Sequence, residues 1–112
     1  MLGKNSSIVV VGAGAIGGVT AAFMRENGYN VEIVCKYPEL VQTIAKRGIH
    51  ITGVRGDMAV PMPAVASIRD LKGKKDVIFL ATKATDMLAA AKELLPFMKT
   101  DSVLVSLQNG LC

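Results

Sequence analysis

The feature that most constrains this chain is a glycine-rich turn between an apolar run and a helical pattern near its N-terminus. Residues 8–11 are all β-branched, as expected of a strand buried on both faces of a parallel sheet. The next six residues match the pattern G-x-G-x-x-G: Gly12, Ala13, Gly14, Ala15, Ile16 and Gly17. The first glycine allows a tight turn, the second a close ligand and the third a close helix. This order predicts a strand, a turn and a helix.

The same turn predicts a dinucleotide-binding site made by Gly12, Ala13, Gly14, Ala15, Ile16 and Gly17. Backbone amides at the start of a helix point at an anion, and the positive end of the helix dipole favours a pyrophosphate there. A P-loop is excluded because no Lys-Ser or Lys-Thr pair closes the motif. The motif alone leaves two alternatives open: the turn binds a flavin nucleotide, or it binds no ligand.

The rest of the chain alternates between strand and helix patterns. This alternation predicts an α/β fold, a Rossmann-type, doubly wound and mainly parallel sheet. In the first helix, one face is predicted to carry Ile16, Val19, Thr20, Phe23 and Met24. The predicted helices are 16–27, 38–47 and 86–98, and the predicted strands are 8–11, 31–35, 64–67, 76–82 and 102–107, with a small hairpin or irregular strand pair within 48–60.

Composition limits the classes of function that this chain can have. Its 112 residues have room for one domain, and the net charge of +4 is spread without a dense basic run. We therefore expect no nucleic-acid partner, and we expect a cytoplasmic protein without a membrane span. Cys35 and Cys112 have no disulfide or metal spacing, so no metal is expected. The single histidine, His50, is interpreted as a surface residue.

The end of the second predicted strand favours NADP over NAD. NAD-binding domains usually carry an acidic residue there, which holds the ribose hydroxyls. Here Glu32 comes too early in the strand, and Lys36 stands at its end, where a cation can pair with a 2′-phosphate. The alternative is that Lys36 is an ordinary solvated lysine. Lys83 and Asn109 follow two later strands and are further candidates, although each also suits an ordinary turn.

Taken together, these segments resemble the N-terminal domain of the ketopantoate reductase (2-dehydropantoate 2-reductase) family. The resemblance rests on the glycine-rich opening, Lys36, the Lys83-Ala84 pair and Leu107-Gln108-Asn109-Gly110. It implies NADPH-dependent reduction of ketopantoate to pantoate, on the route to pantothenate and coenzyme A. It also implies that Lys36 binds the 2′-phosphate, that Lys83 reaches the cofactor, and that Asn109 touches both the cofactor and the substrate.

The resemblance also predicts what residues 1–112 lack. In the family the general acid lies in a C-terminal helical domain, so no catalytic residue is expected here. We expect residues 1–112 to be the NADP-binding part of a longer two-domain enzyme and to be inactive alone. A homodimer is a candidate assembly of the full-length enzyme. Two different functions stay open: a dehydrogenase for another 2-oxo acid or an imine, and a non-catalytic nucleotide-sensing module.

Overall fold

The computed structural model describes residues 5–12, 15–35, 37–53, 56–81 and 84–107. Within these residues the helices are α1 (Ala15–Glu26), α2 (Pro38–Arg47) and α3 (Ala84–Leu94), with short 3₁₀ helices at Ile68–Asp70 and Leu95–Phe97. The strands are β1 (Ser7–Val11), β2 (Asn30–Val34), β3 (Ile49–Gly53), β4 (Gly56–Val60), β5 (Ala64–Val65), β6 (Lys75–Leu80) and β7 (Met98–Ser106). Each predicted helix and strand is present, and its ends differ from the predicted ones by no more than a few residues.

The main sheet has five strands in the order β5-β2-β1-β6-β7, and its neighbouring strands are parallel. The first strand lies at the centre. The chain extends the sheet on one side through β2 and β5 and then on the other side through β6 and β7. The predicted doubly wound, Rossmann-type sheet is therefore confirmed.

Both faces of the sheet are covered, because successive residues of β1 point to opposite faces. Ile8 and Val10 belong to a core shared with α1, α2 and the segment around Met62. Val9 and Val11 belong to a second core shared with α3 and the 3₁₀ helix Ile68–Asp70. All four side chains are buried. Because neither face of β1 meets solvent, residues 8–11 are all apolar and do not alternate with polar residues.

The face that the sequence indicates for α1 is only partly the buried one. Val19 and Phe23 are 49 % and 66 % exposed, and Met24 packs against the core. Among the residues of α1 whose side chains or burial the structure describes, the buried ones are Gly17, Gly18, Ala21 and Ala22. The helix lies so close to the sheet that only small residues fit between them. Large apolar side chains gave a clear helical stripe in the sequence, but the stripe of glycine and alanine was the one that faced the sheet.

An antiparallel hairpin interrupts the alternation after α2, as predicted for residues 48–60. Ile49 pairs with Val60, and His50, which is exposed as predicted, pairs with Ala59. Gly48 has a φ of 85°, and a Cβ there would collide with the backbone of Val60 and Pro61. Glycine therefore lets α2 end directly against the base of the hairpin. None of the helices in the described part of the chain has the length and apolar character that a membrane span requires.

Candidate dinucleotide-binding site

The carboxyl ends of four parallel strands meet along one edge of the sheet, which we call the carboxyl edge. The amide of Gly12, after β1, donates to the carbonyl oxygen of Val34 at the end of β2, at 2.9 Å. On the other side of β1, the amide of Ala81 donates to the carbonyl oxygen of Val11 at 2.8 Å, and that of Leu107 to the carbonyl oxygen of Leu80 at 2.8 Å. Ligands of open α/β sheets bind at this edge.

Gly12 and Gly17 have the geometry that the motif predicts for its first and third glycines. Gly12 has a φ of 109°, a conformation that residues with a Cβ rarely adopt. A Cβ on Gly17 would lie under 3.0 Å from the carbonyl oxygen of Gly12 and 2.9 Å from the Cβ of Ala81. The N-terminus of α1 is thereby held against the carboxyl end of β1. The sequence analysis did not identify Ala81 as a neighbour of Gly17. A small residue directly after a strand was the signal that would have indicated this close contact.

The end of β2 carries no acidic side chain toward the carboxyl edge. Glu32 lies in the middle of β2, where it forms an ion pair with Lys75, and both side chains are largely buried. The strand ends at Val34, and Cys35 is buried with a free thiol. The prediction that Glu32 is not available for a cofactor ribose is thus supported by its contact with Lys75.

Several predicted site residues lie outside the described part of the chain: Ala13, Gly14, Lys36, Lys83 and Asn109. Of Ala15 and Ile16, the structure describes the backbone, which begins α1. Lys36, Lys83 and Asn109 nevertheless follow Cys35, Ala81 and Leu107 by no more than two residues in the sequence. The strands that precede all three of them end at the carboxyl edge. Among the described residues, no group of histidine, cysteine, aspartate or glutamate side chains could hold a metal.

The opposite edge of the sheet carries a connected set of polar side chains, the amino-edge cluster: Ser7, Glu32, Lys75, Asp76, Lys99 and Ser102. The buried ammonium of Lys75 contacts Glu32, the Oγ of Ser7 at 3.3 Å and the carbonyl oxygen of Lys72 at 3.0 Å. A buried lysine needs such partners, because an unpaired charge is strongly disfavoured away from water.

Asp76 and Lys99 continue this cluster toward the surface. The Nζ of Lys99 donates to the Oδ1 of Asp76 at 2.6 Å, and the amide of Ser7 donates to its Oδ2 at 2.7 Å. The hydrogen bond from Lys99, followed by that from Ser7, lowers the pKa of Asp76 below its ordinary value of 3.8. The same hydrogen bond with Asp76 raises the pKa of Lys99 above its ordinary value of 10.5. Charged groups therefore gather at the edge far from the glycine turn.

Ser102 of this cluster stabilises an irregularity in the pairing of β6 and β7. The pairing shifts between Lys75, which is opposite Met98, and Val77, which is opposite Val103. Ser102 accepts a hydrogen bond from the amide of Lys99 at 2.6 Å and donates one to the carbonyl oxygen of Lys75 at 2.7 Å. These two bonds hold the extra residues of β7 in place. Regular pairing then continues to Ser106, at the carboxyl edge.

Comparisons of sequence place this chain in a known family. The family model described as "Ketopantoate reductase PanE/ApbA" matches residues 8–112. A 2-dehydropantoate 2-reductase of Mycobacterium tuberculosis is 34 % identical over 107 residues, which cover 95 % of this chain and 34 % of the relative. The chain thus spans about a third of the length of the curated relatives that it matches.

Solved structures of similar proteins contain the same domain. The 2-dehydropantoate 2-reductase of Methylococcus capsulatus is 28 % identical, with a TM-score of 0.74 over 92 % of this chain and 33 % of its own. A D-mandelate dehydrogenase, solved with NADH and anilino(oxo)acetate, is 25 % identical, with a TM-score of 0.80 over 95 % of this chain and 34 % of its own. The parallel sheet, the glycine turn at its carboxyl edge and the match over residues 8–112 lead to one assignment: the chain belongs to the ketopantoate reductase family, whose members are nicotinamide-dependent oxidoreductases.

Proposed function

We propose that this chain is the NADPH-binding domain of an enzyme that reduces ketopantoate, the reaction of a 2-dehydropantoate 2-reductase. The observation that carries the proposal is the close approach of α1 to the sheet at Gly17, which puts the N-terminus of the helix at the carboxyl edge. Amides at such a helix N-terminus suit a pyrophosphate. Membership of the family supports the reaction.

Each candidate residue has a proposed task on the cofactor. The turn Gly12, Ala13, Gly14, Ala15, Ile16 and Gly17 would hold the pyrophosphate, because backbone without bulky side chains can approach it closely. Lys36 would pair with the 2′-phosphate. Lys83 and Asn109 would orient the nicotinamide half, and Asn109 would also contact the substrate. The bound nicotinamide would supply the hydride.

Proton transfer to the carbonyl oxygen of the substrate needs a donor within hydrogen-bond reach. We assign no such donor to residues 1–112, in keeping with the family resemblance. The chain alone should therefore bind cofactor and turn over little or no substrate. We also propose that the partner is a small-molecule 2-oxo acid and that the protein has no nucleic-acid or membrane partner. A cytoplasmic location and a homodimer at full length are part of the same proposal.

Calorimetric titration with NADPH and NADH tests the cofactor assignment. We expect NADPH to bind more tightly, and Lys36→Ala to weaken NADPH by about 10- to 100-fold while leaving NADH unchanged, since a charge-assisted hydrogen bond contributes about 1.5–3 kcal/mol. Lys46→Ala, in the last turn of α2, removes an exposed lysine from the other end of that helix and is the matched control. Tighter binding of NADH by the unaltered chain would refute the assignment to NADP.

Glu39 is the acidic residue to include in this test. It is exposed in the first turn of α2, three residues after Lys36. If it took the place of the usual acidic residue at the end of β2, it would hold the ribose hydroxyls and favour NADH. We expect Glu39→Gln to leave NADPH affinity at least as high as before, because it removes a negative charge near an anionic ligand. A loss of affinity for NADH in this variant, with little change for NADPH, would favour NAD.

A dehydrogenase for a different 2-oxo acid is the second candidate function, and the similarity to the D-mandelate dehydrogenase is the observation that favours it. The two candidates differ in substrate, so we propose to measure NADPH oxidation by the full-length gene product with ketopantoate, with other 2-oxo acids and with imines. Turnover that is fastest with ketopantoate supports the first candidate. Binding of NADPH without turnover of any of these compounds would instead favour the nucleotide-sensing module.

A further inference from the structure

Tyr37 presents a large exposed aromatic ring at the start of α2. The residue is 61 % exposed, and its side chain makes no capping hydrogen bond although it occupies the N-cap position of the helix. Serine, threonine, aspartate and asparagine are preferred at this position because their side chains accept a hydrogen bond from a helix amide. Tyr37 therefore adds little to either the core or the cap.

The backbone that carries this ring is fixed. Tyr37 precedes Pro38, which restricts the preceding residue to extended conformations, and its φ of −102° and ψ of 109° lie in that region. Its carbonyl oxygen accepts hydrogen bonds from the amides of Leu40 at 2.9 Å and Val41 at 3.0 Å. A side chain on such a rigid base loses little additional freedom when a ligand binds to it.

The position of Tyr37 along the chain puts it beside the carboxyl edge. The carbonyl oxygen of Val34, at the end of β2, accepts the hydrogen bond from the amide of Gly12. Tyr37 follows Val34 by three residues, so its Cα lies no more than about 11 Å from that of Val34. Lys36 immediately precedes Tyr37 in the sequence. A cation next to a flat ring matches a 2′-phosphorylated adenosine, which offers an anion and an aromatic base.

We propose that Tyr37 is a binding residue for the adenine ring of the dinucleotide, and that its ring stacks on the base while Lys36 pairs with the 2′-phosphate. The proposal rests on the proposed function, because it requires a dinucleotide at the carboxyl edge. Stacking of a base on an aromatic side chain strengthens binding by about 5- to 100-fold. The chain has three phenylalanines, two tyrosines and no tryptophan, but one ring suffices for one base.

Calorimetry on three variants of the chain tests this stacking. Tyr37→Ala should weaken NADPH by about 5- to 100-fold, whereas Tyr37→Phe should keep the affinity within about twofold, because the ring and not the hydroxyl carries the stacking. Phe23→Ala removes an aromatic residue that is 66 % exposed on α1, and it should leave the affinity unchanged. Equal affinity of Tyr37→Ala and the unaltered chain for NADPH would overturn the proposal.

Tyrosine fluorescence gives a second readout that does not involve the nicotinamide. The chain has two tyrosines and no tryptophan, so Tyr29→Phe leaves Tyr37 as the source of emission. Adenosine 2′,5′-bisphosphate, which lacks nicotinamide, should quench this emission as it binds. Binding of this probe without quenching would contradict stacking on Tyr37 and leave the proposed function intact. Failure of the unaltered chain to bind NADPH, NADH and the probe would refute the proposed function itself.

Discussion

Replacement of Gly17 by alanine is the sharpest test of how α1 meets the sheet. The added Cβ would lie 2.9 Å from the Cβ of Ala81 and still closer to the carbonyl oxygen of Gly12, where ordinary contacts are 3.4–4 Å. The helix must therefore move away by about half an ångström or more. Because one of the obstructing atoms belongs to the backbone, a change of side-chain rotamer cannot relieve the collision.

Two opposing effects set the size of the change in stability. Overpacking in a core costs about 1–3 kcal/mol, and a backbone contact puts this site at the upper end of that range. Alanine is favoured over glycine in a helix interior by about 1 kcal/mol. We therefore expect Gly17→Ala to lower the free energy of unfolding by about 2 kcal/mol, or roughly 10 °C in Tm for a domain of this size.

Urea unfolding followed by circular dichroism measures this change, and titration with NADPH measures its effect on the site. Gly73→Asn is the matched control, because Gly73 has a φ of 73°, which asparagine tolerates, and a Cβ there would meet nothing within 4 Å. It should cost less than about 1 kcal/mol and leave NADPH affinity unchanged, whereas Gly17→Ala should weaken NADPH. A Gly17→Ala variant that is as stable as the unaltered chain, or that binds NADPH equally well, would refute the reasoning.

Two further predictions concern the amino-edge cluster. Glu32→Gln should lower the free energy of unfolding by about 3–5 kcal/mol, because it leaves the buried Lys75 without its ion-pair partner. The double variant Glu32→Leu and Lys75→Met should recover most of this loss in the same urea titration; a double variant as unstable as the single one would contradict this explanation. Since the folded pKa of Asp76 is lowered, its carboxylate stabilises the fold above the ordinary value of 3.8 and ceases to do so as pH falls through the lower folded pKa. Thermal unfolding should therefore show Asp76→Asn to be less stable at neutral pH, with a difference that shrinks in acid, and a difference independent of pH would count against the hydrogen bond from Lys99.

Periodicity and turn residues predicted most of the fold, because both depend on local sequence. The β-branched run of β1, the proline at the start of α2 and the glycines at 28 and 48 each marked an element or its end. The buried face of α1 was predicted only in part, since the distance between the helix and the sheet decides which residues fit between them. That distance depends on contacts such as Gly17 with Ala81, which are remote in the sequence.

The candidate site was predictable to the extent that it consists of strand ends. The positions after β1, β2, β6 and β7 could be named from the sequence, because parallel strands end at a common edge. The partner of Glu32 could not be named, since the pairing with Lys75 depends on where β2 and β6 lie on either side of β1. Tyr37 was passed over for a different reason: its exposure and its unused N-cap position become visible only when α2 is in place.

The amino-edge cluster has a consequence for how such a domain can change during evolution. Its side chains join the beginnings of β1, β6 and β7 to the middle of β2, so these strands are aligned by contacts that do not involve the residues at their other ends. Substitutions that alter which ligand is preferred can then accumulate in the loops of the carboxyl edge with little loss of stability. We therefore expect this scaffold to tolerate a change of preferred cofactor or substrate.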